Sequence, residues 1–428
     1  MATLQPYKKY NAVAYDYTTE LPDGWQLLPN IAIFQERIER GYENEELLSV
    51  TIGRGVIKQS DLDKKDSSTL DKSKYLLVYP GDLVYSMRFR QGASGYSNYK
   101  GIVSPACTVL KPRKSVKFNP RYYHYMLRTV YYKNYAERYA YGIADGQMPL
   151  RYFDFKRMYS IVPPLEVQNS IVAYLDKKNS EIAKFIRNKE RLIELLEEEK
   201  QSVIRKGVTK GEVSKFKFKE TGIDWIGEIP ENWDIKKLKY CAKIIYGISP
   251  HENTYNDKGI GSVLINGPVE YSEENFGYTR ELKWTNDPKK FAPKESLLFC
   301  LRGSTTGRLN ICHDDVSIGR GVAAIISETR QDFMIYAIKA LVDFISDSFK
   351  GSTFPSVTSE DLNNYLIPLP PTIEEQRRIV EFLNEETKMF DLAISKAQKE
   401  ISSIKEYREA LITDLVTGKR SVPQLQMN

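Results

Sequence analysis

Two stretches of the chain carry apolar residues at helical spacing over an unusual length. Steps of seven from Leu175 reach Ile182, Lys189, Leu196 and Val203, and a second line runs through Ile171, Phe185 and Leu192, widened by Ile186 and Ile193. Near the C-terminus the same spacing links Leu383, Phe390, Ala397, Ile404 and Leu411, flanked by Ile394 and Ile401. The other faces are charged, as in Glu197-Glu198-Glu199-Lys200. This is a coiled-coil-like seam over about six heptads. It predicts one helix running to about Lys206 and another to about Thr417. At 1.5 Å per residue, about 42 residues make a rod of roughly 60 Å. Either helix alone would leave its seam in water, so the economical arrangement pairs the two inside one chain, with pairing across chains as the alternative. Each is entered through a double proline, Val162-Pro163-Pro164-Leu165-Glu166-Val167-Gln168 and Leu369-Pro370-Pro371-Thr372-Ile373-Glu374-Glu375-Gln376. Proline is tolerated in a first helical turn and fixes the entry direction.

The two helices repeat each other. After a one-residue insertion the register holds at an offset of 208: Gln168 matches Gln376, Ile171 matches Ile379, Leu175 matches Leu383, Ile204 matches Ile412, and Val208-Thr209 matches Val416-Thr417. Pro22 and Trp25 map onto Pro230 and Trp233 at the same offset. The duplication therefore covers the whole chain, and a repeat of this kind sets the reading of everything between its copies.

Between Trp25 and Pro163 the period shortens. Leu47-Leu48-Ser49-Val50-Thr51-Ile52, Leu83-Val84-Tyr85-Ser86-Met87 and Cys107-Thr108-Val109-Leu110 read as strands, and residues 119–139 as one helix. The second copy repeats the plan loosely, with strands at 296–300 and 322–326 and a helix over 333–348. The expected architecture is α+β: two globular α/β domains separated by two long helices, with an internal pseudo-twofold duplication. The expected boundaries are an irregular N-terminal arm at 1–20, a first domain at 21–162, a first helix at 163–210, a linker at 211–228, a second domain at 229–369, a second helix at 370–420 and a tail at 421–428.

Composition narrows the class. With 428 residues, 41% hydrophobic, the chain can build real cores. It holds no run of eighteen apolar residues and no charged-then-apolar start, so neither a membrane span nor a signal peptide is expected. Cys107, Cys241, Cys300 and Cys312 are scattered without a C-x-x-C, which fits a reducing cytoplasm. A net charge of +6 permits a nucleic-acid partner without proving one.

Two loops at equivalent places carry the candidate chemistry. In the second domain Arg302, Ser304, Thr305, Thr306, Arg308 and Asn310 sit on a glycine-framed turn between strands. In the first, Arg88, Arg90, Gln91, Ser94, Tyr96, Asn98 and Lys100 follow the strand ending at Met87. Arginine pairs bidentately with guanine, asparagine with adenine, and hydroxyls suit phosphates. Arg320, Arg54 and Lys58 are weaker candidate contacts, for each of which a plain surface role is the favoured reading. Catalytic motifs are missing. No Asn/Asp-Pro-Pro-aromatic sequence occurs, Asn119-Pro120-Arg121-Tyr122 lacks the second proline, and there is no Gly-Lys-Ser/Thr. Cys312-His313-Asp314-Asp315 supplies one cysteine and one histidine without a second ligand pair, too little for a metal site. The chain reads as non-catalytic.

The order of variable domain, Pro-Pro helix, variable domain, Pro-Pro helix resembles the specificity subunit of type I restriction-modification systems. The strongest markers are Thr221-Gly222-Ile223-Asp224-Trp225-Ile226-Gly227-Glu228-Ile229-Pro230-Glu231-Asn232-Trp233 and Glu375-Gln376-Arg377-Arg378-Ile379-Val380-Glu381-Phe382-Leu383. The resemblance covers roughly residues 21–420, and the first domain departs from it by lacking the full Gly-Ile-Asp-Trp-Ile-Gly-Glu preface. It implies that each domain is a target-recognition domain reading one half of a split site in double-stranded DNA. The helices would form an antiparallel spacer. Two modification (methyltransferase) subunits and restriction (motor-nuclease) subunits would be partners, with S-adenosylmethionine, ATP and magnesium on those partners and no cofactor here. A specificity subunit for a fused modification–restriction enzyme, a coiled-coil scaffold that binds no DNA and a self-sufficient DNA-modifying enzyme are the competing readings. Steep salt dependence of DNA retention separates the second from the first, and methylation by the purified chain alone would mark the third.

Overall fold

The structure is a computed structural model that describes residues 4–15, 17–62, 71–140, 149–211, 217–272, 277–349 and 356–423. Among these residues five helices have eight residues or more: α1 (Pro120–Arg128), α2 (Val130–Glu137), α3 (Leu165–Lys210), α4 (Gln331–Phe349) and α5 (Ile373–Val416). The chain divides into two compact units, Met1–Lys189 with Lys399–Asn428, and Glu190–Gln398. Each unit therefore takes one globular domain and a stretch of both long helices.

In the first unit a four-stranded antiparallel sheet runs in the order Phe34–Glu36, Thr108–Pro112, Leu83–Tyr85, Ser94–Tyr96. The pair Gln26–Pro29 with Tyr159–Val162 delivers the chain into Pro163-Pro164 and α3. Its core gathers Trp25, Phe34, Tyr85, Tyr122, Tyr132 and Phe155 with Ile171 and Leu175 of α3 and Leu411 and Leu415 of α5. Several of the tyrosines are packing residues here; Tyr17 stacks on Tyr135 with ring centroids 4.3 Å apart.

The second unit repeats the plan. Its four-stranded sheet runs Ala242–Tyr246, Val322–Ser327, Leu297–Cys300, Leu309–Ile311, and Asp234–Lys237 pairs with Leu366–Leu369 ahead of α5. The core joins Trp233, Phe299 and Phe333 to Ile204 and Val208 of α3 and Ile379 and Leu383 of α5. So the start of α3 meets the end of α5 in one core, and the end of α3 meets the start of α5 in the other. The helices are antiparallel. Leu175 and Ile182 of one seam and Leu383 and Leu411 of the other are buried, while Phe185 and Leu192 stay exposed. Charge follows the seam: Lys200, 4% exposed, meets Asp391 at 2.5 Å, and Lys189 meets Glu400 at 2.5 Å.

Both long helices end the same way. Gly211 (φ 62°) follows α3 and Gly418 (φ 78°) lies just past α5, each in the left-handed region that favours glycine at a helix end. A Cβ on Gly211 would stand 3.1 Å from the Trp233 ring, and one on Gly418 would stand 2.6 Å from Pro22 and 3.1 Å from Trp25. The repeated tryptophans are thus the lids on the helix ends.

Three expectations need correction. The expected irregular arm holds a strand: Tyr10–Tyr15 pairs with Thr18–Pro22, with Tyr10 opposite Pro22. The second unit pairs Phe218–Glu220 with Glu228–Pro230, with Phe218 opposite Pro230. Both members of that pair are displaced by 208, so the first domain has the same hairpin, with Glu20-Leu21-Pro22 where the second has Glu228-Ile229-Pro230 and an unlike first strand. The helix expected over 119–139 breaks at Thr129, whose ψ of 145° is extended and whose hydroxyl accepts the Tyr132 N–H as a fresh N-cap. The second unit also carries a five-stranded sheet absent from the sequence reading, in the order Tyr255–Asn256, Trp284–Thr285, Ser262–Ile265, Val316–Ile318, Phe291–Ala292. Parts of the expected arm (1–3 and 16), linker (212–216) and tail (424–428) lie outside the described residues.

Candidate nucleic-acid interface

The repeated glutamines fix each domain to its helix. Gln168 is fully buried. Its Nε2 donates to the Pro163 carbonyl at 2.8 Å and to the Lys117 carbonyl at 3.2 Å, and its Oε1 accepts the Asn119 N–H at 2.9 Å. Asn119 caps α1. Gln376 donates to the Pro370 carbonyl at 3.3 Å and accepts the Arg330 N–H at 3.3 Å, one residue before α4. In each unit one amide therefore joins the double-proline turn, the long helix and the start of the domain helix. An amide has the donors and the acceptor for this job, which no apolar residue has.

In the first unit the candidate loop connects two paired strands, Leu83–Tyr85 and Ser94–Tyr96. It turns through a short 3-10 segment, Phe89–Gln91, anchored by the buried Phe89 ring and closed by Gly92 at φ 93°. Arg88, Gln91 and Asn98 are exposed. Arg90 forms an ion pair with Glu137 of α2 at 2.7 Å, and Lys100 forms one with Glu45. Tyr96 is half-buried, edge-on to His124 and under the Arg121 guanidinium. Ser94 is 1% exposed, which removes it from the candidate surface.

Arg128 was invisible as a functional residue in the sequence. Its guanidinium donates to the carbonyls of Gly92 at 2.9 Å, Ser94 at 2.6 Å and Gly53 at 3.1 Å. It lies at the end of α1 with a pKa lowered by burial. Beside it His124 is held as a neutral ring: burial, and then Arg128 and Arg121, push its pKa down to about 3. Only the position of Arg128 in the last turn of a tyrosine-rich helix marks it, and nothing in the sequence links it to Gly92.

In the second unit the loop between Leu297–Cys300 and Leu309–Ile311 is tightly bonded to itself. The Thr306 hydroxyl donates to the Gly303 carbonyl, Thr305 lies 3.6 Å from the Cys300 thiol, and Gly303 and Gly307 both sit at φ 86°. Two expected contacts are committed elsewhere. Asn310 is fully buried and donates to the Ser272 hydroxyl at 3.1 Å; Arg308 is half-buried and donates to the Ser272 carbonyl at 3.1 Å. Burial removes Asn310 from the candidate surface, and both side chains hold the loop against residue 272. Arg302, Ser304 and Arg320 are exposed. The Leu301 N–H donates to the Gly321 carbonyl at 2.9 Å, so Arg302 and Arg320 leave neighbouring strand ends side by side. Arg320 is set by close packing: a Cβ on Gly319 would stand 1.9 Å from Asn266 Oδ1, and one on Gly247 would stand 2.2 Å from the Gly319 carbonyl.

Cys107, Cys241 and His313 are committed to packing and hydrogen bonds. Burial raises the Cys107 thiol to about 12 and the Cys241 thiol to about 11. His313 bonds Thr279 through Nδ1 at 2.7 Å and Glu281 through Nε2 at 3.0 Å, with the Thr279 side chain 5% exposed. Among the described residues no group of three or more His, Cys, Asp and Glu side chains is placed to hold a metal ion, and no helix is long and apolar enough to cross a membrane.

Comparison with known proteins agrees with this geometry. Residues 230–403 match the family model for the type I restriction modification DNA specificity domain. The putative type I restriction enzyme MjaX specificity subunit of Methanocaldococcus jannaschii is 30% identical over an alignment spanning 97% of this chain and 98% of that protein. The MjaVIII specificity subunit of the same organism is 27% identical over 63% of this chain and 64% of its own length. Among solved structures, a chain from a study of complex assembly and conformational transition of the type I R-M system superposes with a TM-score of 0.73, 19% identity, 94% of this chain and all of that one. The HsdS subunit from Thermoanaerobacter tengcongensis gives 0.51 at 21% identity over 95% of this chain and 99% of its own. The likeness to the solved structures shows the fold, and the full-length match at 30% identity shows the family: the chain belongs to the type I restriction-modification specificity subunits.

Proposed function

We propose that the two globular domains, residues 21–162 and 229–369, are target-recognition domains that each read one half of a split double-stranded DNA site. The helices, 163–210 and 370–420, set the gap between the halves. The supporting observation is a shared frame with unlike edges. Both units hold a four-stranded sheet of the same order on a glutamine-tied helix, yet the loop after the third-listed strand presents Arg88 and Gln91 in one and Arg302 and Ser304 in the other, with Arg320 beside it. A repeated scaffold with different polar edges suits two different half-sites. Arg90, Tyr96, Asn98, Lys100, Thr305, Thr306 and Arg308 then support or flank the contacts.

In this reading the chain performs no chemistry itself. It assembles with two modification subunits and with restriction subunits, which carry S-adenosylmethionine, ATP and magnesium and act on the DNA it selects. The test is selection of a randomised duplex library by the full chain. A consensus in two parts with a fixed gap supports the proposal. Retention independent of sequence would reject it, and no salt-dependent retention at all would favour a protein-binding scaffold.

A further inference from the structure

A second loop of the first unit reaches the edge that carries Arg88. The hairpin Leu48–Thr51 with Gly55–Lys58 ends in residues 52–54, and its tip is shaped by the Thr51 hydroxyl, which donates to the Gly55 carbonyl at 2.9 Å and accepts the Arg54 N–H at 3.1 Å. Two glycines allow it to cross the strand Ser94–Tyr96. A Cβ on Gly95 would stand 2.8 Å from the Gly55 Cα, and one on Gly55 would stand 3.4 Å from the His124 ring. The Arg128 guanidinium then bridges the loops, holding Gly53 from the hairpin and Gly92 and Ser94 from the candidate loop.

That use of arginine is unusual. Among the described residues Arg128 has no carboxylate within ion-pair distance; its hydrogen bonds go to backbone carbonyls. A largely buried cation spent on carbonyls of two loops is a device for fixing their separation, because the planar fork offers its donors in a rigid geometry. Above it Arg54 is exposed, and its one side-chain hydrogen bond is long, 3.4 Å to the Asp61 carbonyl. Arg88, one turn of chain from Gly92, is exposed and has no ion-pair partner among the described residues. Lys133 approaches the same place, its Nζ 3.9 Å from where a Gly92 Cβ would lie. The edge is therefore cationic from two loops, and Arg90 with Glu137 closes its α2 side.

We propose that Arg54 and Arg88 form one cationic DNA-contacting edge in the first domain, with Arg54 on a backbone phosphate and Arg128 as the positioning residue that locks the two loops together. This rests on the DNA-reading function proposed above. Arg54 is assigned to phosphate because its exposed guanidinium is braced only by the 3.4 Å bond to the Asp61 carbonyl, whereas bidentate reading of a guanine needs a fixed fork.

The experiment measures duplex binding by the full chain across a salt series, for wild type, Arg54→Ala, Arg54→Lys and Arg128→Lys, with the selected consensus determined for each. Arg54→Ala is expected to weaken binding to all sequences alike, to lower the slope of log affinity against log salt by about 1, and to leave the consensus intact. Arg54→Lys keeps the charge and is expected to restore both. Arg128→Lys cannot span three carbonyls and is expected to blur the consensus in one half-site only. Unchanged affinity and slope in Arg54→Ala overturns the inference, as does a consensus that changes at one base or that Arg54→Lys fails to rescue. A sharp consensus in a natively melting Arg128→Lys overturns the positioning role. If wild type itself shows no salt-dependent duplex binding, the function proposed above fails; if wild type binds steeply and Arg54→Ala matches it, only this inference fails.

Discussion

Replacing Gln168 by leucine removes one buried amide and should loosen the first domain from its helix. Leucine keeps the approximate volume but offers no polar atom. The Pro163 carbonyl, whose bond to Nε2 at 2.8 Å is buried, loses its side-chain partner, which costs about 1–3 kcal/mol. The bonds to the Lys117 carbonyl and from the Asn119 N–H are part-buried, so water recovers some of each; about 0.5–1.5 kcal/mol apiece is the appropriate scale. The sum is about 2–6 kcal/mol before relaxation. Gln376 makes two longer bonds, both 3.3 Å, so Gln376→Leu should cost about 1–3 kcal/mol. The assay is urea unfolding of each variant with hydrogen exchange read along the chain. Gln168→Leu should move the midpoint of the first unit by about 1 M or more, given slopes of about 1–3 kcal/mol/M. Exchange should rise at the Asn119 N–H and the first turn of α3, while the start of α4 stays protected. A shift of a few tenths of a molar, or equal shifts for the two glutamines, would refute the view that this amide holds the domain to the helix.

Three further outcomes follow from the same geometry. His124 has a folded pKa of about 3 against an ordinary 6.5, so the unfolded chain binds the extra proton. Its contribution is complete above about pH 6.5 and is lost at up to about 1.4 kcal/mol per pH unit as pH falls toward 3, so the acid limb of the stability profile should flatten in His124→Phe. Trp233→Phe strips the 2.9 Å bond from Nε1 to the nearly buried Glu375 carboxylate and should cost about 1.5–3 kcal/mol in thermal unfolding; Trp25→Phe should cost less, because Val167 occupies the place equivalent to Glu375. Deleting one heptad from each long helix, in register, should change the tolerated gap between half-sites and leave the half-site sequences alone; altered half-sites with an unaltered gap would end the spacer idea.

The scaffold was legible in the sequence because it is written twice. An apolar stripe at period seven, the double prolines and the offset of 208 call for two paired helices, within one chain or across two, and the cores around Leu175 and Leu383 take the first course. The strands of the central sheets were readable where a short apolar run was bounded by glycine or proline turns, as at Leu83–Tyr85 and Leu297–Cys300. What failed was local and unrepeated. Thr129 divides one helical pattern in two by capping Tyr132, and helical periodicity continues across the break. The hairpin Tyr10–Tyr15 with Thr18–Pro22 shares its register with the second copy, but its first strand matches Phe218–Glu220 at no residue, so the repeat did not mark it. In the candidate site, sequence could name polar residues on a loop but not their commitments. Asn310 and Arg308 look as available as Arg302 until Ser272, 36 residues before Arg308, is brought against them. Arg128 shows the reverse: its importance comes from three carbonyls on two other loops, and no pattern within α1 encodes that.

The claim that two unlike domains on a repeated frame read two halves of one site is tested most directly by sequencing the methylated positions of a host that carries this chain with its modification partners, beside the same host with Arg302→Ala. The account predicts a two-part recognition sequence with a fixed gap, and relaxation at one base of one half by about five- to a hundred-fold in the variant. A single contiguous motif in the wild type, or a variant whose methylation falls evenly over both halves, would contradict it.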